Sequence, residues 1–97
     1  VSSAAGLLKE EMRMLDSLLV KCADECAVPA GGALAVDREV FSTLVTDAIM
    51  NNENIEFISE EVVAIPENEI SIVATGPLTS DSFSAYIASI TLKHLRF

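Results

Sequence analysis

The sequence predicts an α/β chain: three helices and a small mixed sheet. Three observations lead there. The chain has 97 residues, 51% of them hydrophobic, which suffices for one modest core and excludes a disordered chain. Apolar residues recur at three- and four-residue spacings in three separate stretches, as helix faces require. Between the second and third of these lie short runs rich in Ile and Val, each bounded by Pro, Gly, Asn or acidic residues, as strands are.

The first helix is expected from Ser3 to about Ala27. Leu8, Met12, Leu15, Leu19, Cys22 and Cys26 alternate spacings of four and three, and Leu7, Met14 and Leu18 widen the stripe. Lys9, Glu10, Arg13, Asp16 and Lys21 fall mostly off it, and Ser2 or Ser3 suits the N-cap. Val28 to Val36 then breaks the pattern. Pro29 cannot continue a helix, and Gly31-Gly32 admits backbone conformations closed to other residues. Its nine residues carry no charge, whereas solvent loops are usually polar. The stretch therefore reads either as a buried connection or as backbone lying under a sheet, a partner or a cofactor. Neither G-x-G-x-x-G nor G-x-x-x-x-G-K-[ST] occurs here, so spacing assigns no nucleotide motif.

Asp37 is a good N-cap for a second helix with Phe41, Leu44, Val45 and Ala48 on one face, ended by Asn51 and Asn52. Strands are expected at Ile55–Ser59, Val62–Ile65 and Ile70–Ala74, with Pro66 to Glu69 turning the chain before the last. Gly76 and Pro77 stop that run, because Gly frees φ and Pro removes a ladder donor. Thr79 or Ser80 then caps a third helix bearing Phe83, Tyr86, Ile87 and Ile90. The Gly76 turn reads as a place where backbone can approach a ligand closely, or as an ordinary strand-to-helix connection. Val1 is not a start methionine and apolar side chains continue to Phe97, so a piece of a longer protein is expected.

Composition excludes several function classes. Fifteen acidic residues against six basic ones give a formal charge of -9, which repels phosphate, so this chain by itself is a poor nucleic-acid binder. No apolar run reaches the ~18 residues of a membrane span, and the start lacks the basic-then-apolar layout of a signal peptide; a cytoplasmic setting with no membrane partner is expected. Cys22 and Cys26 stand four apart with a single distant His94, too few ligands for a metal centre, and no metal is expected. No Ser, His and Asp or Cys and His arrangement marks a catalytic site, so no catalytic residue is assigned.

Three stretches carry a family resemblance: Gly6-Leu7-Leu8-Lys9-Glu10-Glu11-Met12-Arg13, then Val28-Pro29-Ala30-Gly31-Gly32-Ala33-Leu34-Ala35-Val36-Asp37-Arg38, then Ala74-Thr75-Gly76-Pro77-Leu78-Thr79-Ser80-Asp81. Together, and in this order, they resemble the TrmFO family of folate- and FAD-dependent tRNA (uracil-5-)-methyltransferases, over nearly all the chain to about residue 90. A related family of flavoproteins that modifies the tRNA wobble uridine is less similar over Val28 to Arg38. From Ser89 to Phe97 the chain departs from the TrmFO pattern, which tends to have a glycine near Leu92.

The resemblance implies a fragment of a glutathione-reductase-like FAD-binding fold, residues 1–97 forming one piece of its FAD-binding and inserted region without the Gly-rich dinucleotide loop. It implies a parent enzyme that takes a methylene group from methylenetetrahydrofolate, reduces it with FADH2, and places it as methyl on C5 of the T-loop uridine of tRNA, with NAD(P)H as a further cofactor. The fragment alone is expected to bind no cofactor, to be inactive, to meet tRNA only through the full-length protein, and to self-associate through uncovered apolar faces. An autonomous protein-interaction module is the alternative. Neither Cys22 nor Cys26 matches a functional cysteine of the family. The resemblance implies that Thr75, Gly76 and Pro77 lie beside FAD, followed by Gly31, Gly32, Ala33 and Arg38. Arg38 serves either to neutralise cofactor charge or in a structural salt bridge.

Overall fold

The computed structural model describes residues 3–94. The chain divides into two compact units, one ending at Phe57 and one beginning at Ile58. Helices dominate the first, and one helix with a 3-10 turn makes up the regular structure described in the second.

In the first unit, α1 spans Ala4–Met14 and α2 spans Leu18–Glu25. Ser3 caps α1, its hydroxyl accepting from the Gly6 N–H at 3.0 Å, whereas Ser2 lies outside the described residues. The single helix expected over Ser3 to Ala27 is therefore two. Asp16 takes a left-handed φ of 58°, the Asp16 N–H donates to the Arg13 carbonyl and the Ser17 N–H to the Met12 carbonyl, each at 3.0 Å. That is the Schellman closure of a helix end, with aspartate where glycine is usual. Ser17 then caps α2, accepting from the Val20 N–H. Apolar spacing runs unbroken across so short a turn, so periodicity did not reveal it. Local side-chain chemistry at Asp16-Ser17 decides the break.

α2 forms the centre of this unit. Val20, Cys22, Ala23 and, at its C-cap, Cys26 are buried, and the helix meets α1, the strand Ala35–Val36 and the helix Arg38–Met50. By contrast α1 buries none of its residues, and Leu15 is 83% exposed. β1 (Ala27–Val28) pairs antiparallel with β2 (Ala35–Val36), in the register Ala27 to Val36 and Val28 to Ala35. Burial was one expectation for Val28 to Val36; the stretch is instead a small hairpin whose tip, Pro29 to Ala33, is exposed. Its strands satisfy each other's backbone groups, so the uncharged tip needs no cover. Asp37 caps α3 (Arg38–Met50), and Asn51 is the C-cap, as expected.

In the second unit, Gly76–Leu78 forms one 3-10 turn and α4 spans Asp81–His94. Ser80 is the capping residue, its hydroxyl accepting from the Phe83 N–H at 3.3 Å. Phe83 is buried and its ring stacks on Tyr86 with centroids 6.1 Å apart. The expected end at Leu95, Arg96 and Phe97 lies outside the described residues. Among the described residues the runs 55–59, 62–65 and 70–74 form no strand, and Ile70 and Ile72 are 101% and 91% exposed. The expectation of three helices with a mixed sheet is thus corrected, among the described residues, to four α-helices and one two-stranded antiparallel sheet. A strand needs a neighbour for its ladder and a face to bury, and these runs find neither. No described helix is long and apolar enough to cross a membrane.

Candidate functional site

Of the seven residues singled out from the sequence, six fall on two turns, one in each unit, and Arg38 begins α3. Both turns rest on a left-handed glycine: Gly31 at φ 62° and Gly76 at φ 69°. Nothing lies within 4 Å of where a Cβ would stand at Gly31, Gly32 or Gly76. Each turn therefore offers bare, exposed backbone to an approaching group.

At the hairpin tip, the Ala33 N–H donates to the Ala30 carbonyl at 3.3 Å, which closes the turn around Gly31 and Gly32. Gly32, Ala33 and Leu34 line one side of a cleft of about 260 Å³, and Gly6, Lys9 and Arg13 of α1 line the other. Lys9 and Arg13 are the polar residues that sequence reasoning missed beside this tip. Their spacing of four put them on one helix face, but only the packing of the hairpin against α1 makes them its neighbours.

Arg13 is already engaged. Its Nε and Nη2 donate to the two carboxylate oxygens of Asp24, each at 2.7 Å, and its Nη1 donates to Glu10 at 2.8 Å. The fork clamps α1 to α2 across the bend. The hydrogen-bonded guanidinium holds the Asp24 carboxyl below its ordinary range, and both carboxylates push the Arg13 pKa up. Lys9, half-buried, lines the cleft beside the tip and forms no ion pair among the described residues.

Arg38 is the first residue of α3 and is exposed. It makes no salt bridge among the described residues. The helix end behind it is closed: Asp37 Oδ1 accepts from the Glu39 and Val40 N–H groups at 3.1 and 3.0 Å. Those two amides are not available to a phosphate, so an anion here would meet Arg38 and not the Glu39 and Val40 amides.

In the second unit, Thr75, Gly76 and Pro77 stand exposed at the entrance to α4. The Thr79 hydroxyl donates to the Gly76 carbonyl at 2.7 Å and lies 2.6 Å from the Thr75 hydroxyl. Thr75 also lines an apolar cavity of about 260 Å³ with Val62, Ile65, Ile72, Val73 and Phe83. The Cys26 thiol is buried, donates to the Cys22 carbonyl at 3.1 Å, and is pushed up in pKa chiefly by that burial. Such a thiol is a core group rather than a nucleophile. No cluster of three or more His, Cys, Asp or Glu side chains able to hold a metal forms among the described residues.

These two turns sit in stretches that known proteins share. The family model described as "Glucose inhibited division protein A" matches residues 1–91. The chain belongs to that family. It is 60% identical over 88 residues to the methylenetetrahydrofolate-tRNA-(uracil-5-)-methyltransferase TrmFO of Acetivibrio thermocellus, an alignment that covers 91% of this chain and 20% of the relative. It is 56% identical over all 97 residues to the TrmFO of Pelotomaculum thermopropionicum, covering 22% of that protein. The TrmFO of Bacillus subtilis is 55% identical over 91 residues, 94% of this chain and 21% of its own length. The resemblance read from the three motifs is thereby borne out. The chain spans about a fifth of the length of the curated relatives it matches.

Proposed function

We propose that this chain is part of a flavin-dependent tRNA methyltransferase of the TrmFO kind, in which its two glycine turns form part of the wall against FAD. The observation that carries this reading is the 56% identity to a TrmFO protein across the whole chain, both turns included. The relatives reported above carry the uracil-5-methyltransferase name, which favours this reading over the wobble-uridine flavoproteins. The geometry fits a flat or phosphorylated group pressed on backbone, since a Cβ at either left-handed glycine would stand in open space on an exposed surface. Lys9 beside Gly32, and Arg38 at the start of α3, are the side chains able to offset cofactor charge.

In the longer enzyme the reaction moves a methylene group from methylenetetrahydrofolate to C5 of the T-loop uridine of tRNA. FAD in its reduced form supplies the electrons that turn methylene into methyl, and NAD(P)H is a further cofactor. This chain orients and encloses. It holds no nucleophile of its own and is inactive alone, and tRNA is met by other parts of the protein, consistent with its charge of -9. The setting is cytoplasmic. Taken alone, the chain self-associates through Ile70, Ile72 and Leu78, each more than 90% exposed.

The test is to purify the full-length polypeptide that carries this chain. Its visible spectrum and its methylation of unmodified tRNA at uridine C5 are then measured. A bound-flavin spectrum and folate-dependent methyl transfer are expected, with neither from the 97-residue chain. A colourless full-length protein that takes up no added FAD overturns the reading.

A further inference from the structure

The hydrogen bonds at the Gly76 turn fix where two protons go. A threonine hydroxyl has one proton and two lone pairs, and a carbonyl oxygen only accepts. Thr79 Oγ1 lies 2.7 Å from the Gly76 carbonyl, so its proton is given there. Thr79 has none left for Thr75, and their 2.6 Å contact is made by the proton of Thr75. The relay runs one way, from Thr75 to Thr79 to the Gly76 carbonyl. The Thr75 oxygen is left with lone pairs alone to show at the rim of the apolar cavity it shares with Ile65, Ile72 and Phe83.

Charge points the same way. No lysine or arginine lies between Arg38 and Lys93, a stretch that holds nine acidic residues. Among the residues lining the cavity none is a lysine or arginine, so an anion there would meet an acceptor and no lining cation, an arrangement that disfavours phosphate. The cavity, about 260 Å³, falls just below the roughly 300 Å³ at which ligand pockets begin, so it takes one part of a ligand.

We infer that Thr79 is a positioning residue, which holds the left-handed Gly76 turn and keeps Thr75 an acceptor. Together they make the cavity a site for the uncharged, flat part of a ligand that presents an N–H or O–H edge. The inference deepens the reading of Thr75 to Pro77 as cofactor-facing and rests on it, assigning that turn to a neutral portion and not to phosphate.

The experiment uses the full-length protein that carries this chain, ¹⁵N-labelled and freed of flavin, titrated separately with riboflavin and with inorganic pyrophosphate while amide resonances are followed. Riboflavin is expected to move Thr75, Gly76 and Thr79, and pyrophosphate to leave them in place. Thr79→Val is expected to weaken the riboflavin response about fivefold, the equivalent of one hydrogen bond, and to speed exchange of the Thr79 amide, which donates to Gly76. Thr79→Ser, which keeps the hydroxyl, is expected to restore both, and unchanged resonances of residues 4–50 show that the variants remain folded. A Thr79→Val chain with unaltered Gly76 and Thr79 signals, or a turn moved more by pyrophosphate than by riboflavin, overturns the inference. FAD moving Gly31 to Arg38 while Thr75 to Thr79 stay still overturns it and leaves the broader cofactor reading standing. If neither FAD nor riboflavin moves either turn, both fail.

Discussion

Gly31 and Gly76 hold conformations that the other residues nearby do not need. Both are left-handed, and both have open space beyond the Cα, so a methyl group added there meets backbone strain but no neighbour. Gly76→Ala and Gly31→Ala are each expected to destabilise the chain by about 1–2 kcal/mol, the cost of placing an L-residue in that region. Gly32→Ala, at ordinary φ and in equally open space, is expected to change stability by less than about 0.5 kcal/mol. Urea unfolding of the three variants measures the contrast. The sequence announced the need for glycine through the Gly31-Gly32 pair and Gly76-Pro77. It did not announce Asp16, whose left-handed φ ends α1, because aspartate serves equally well in a helix face, a cap or a turn. Nor did it announce the one-way relay at Thr79, since that depends on which oxygen lies against the Gly76 carbonyl.

Helices in this chain are bounded by named caps. Ser3, Asp37, Asn51 and Ser80 were legible, because capping is a bond between a side chain and an amide two or three residues away. Asp37 accepts from two amides of α3 and its own N–H donates to the Cys26 carbonyl at 3.0 Å. Asp37→Ala is expected to cost about 1–2 kcal/mol and Asp37→Asn less than half of that, read by thermal unfolding followed by circular dichroism. The clamp of Arg13 on Asp24 was not legible, for it joins residues on either side of a bend that periodicity conceals. Because Arg13 lowers the Asp24 pKa, the clamp contributes its full stability above the ordinary aspartate value of 3.8 and loses it as pH falls through the depressed folded value. Acid unfolding of the native chain is therefore expected to shift towards that of Asp24→Asn as the pH drops below about 4. Added salt narrows the gap between them at neutral pH, since both partners are partly exposed. Equal acid profiles for the two chains would refute the linkage.

At the scale of the whole molecule, apolar surface exceeds what the chain can bury. Only Val20, Cys22, Ala23, Cys26 and Phe83 are buried hydrophobic residues among those described, while Ile70, Ile72 and Leu78 stand in solvent. Concentration-dependent light scattering is expected to show association at high concentration, and Ile70→Lys with Ile72→Lys to reduce it; a monomer at every concentration counts against this. The uncovered runs also explain where sequence reasoning failed. The Ile and Phe of 55–59 and the Ile and Val of 70–74 record a preference for pairing, but a ladder forms only when a second strand is present, and none of the described residues supplies one. The strands that do form, at Ala27–Val28 and Ala35–Val36, are joined by a short turn whose Gly31 brings them together without help from elsewhere. Family, helix caps and the two glycine turns were readable from residue order, since each depends on residue identities and on contacts a few residues apart. The bend in the first helix, the site of the sheet and the placing of Lys9 and Arg13 beside Gly32 were decided by tertiary structure, because each depends on which distant backbone or side chain is there to receive a bond.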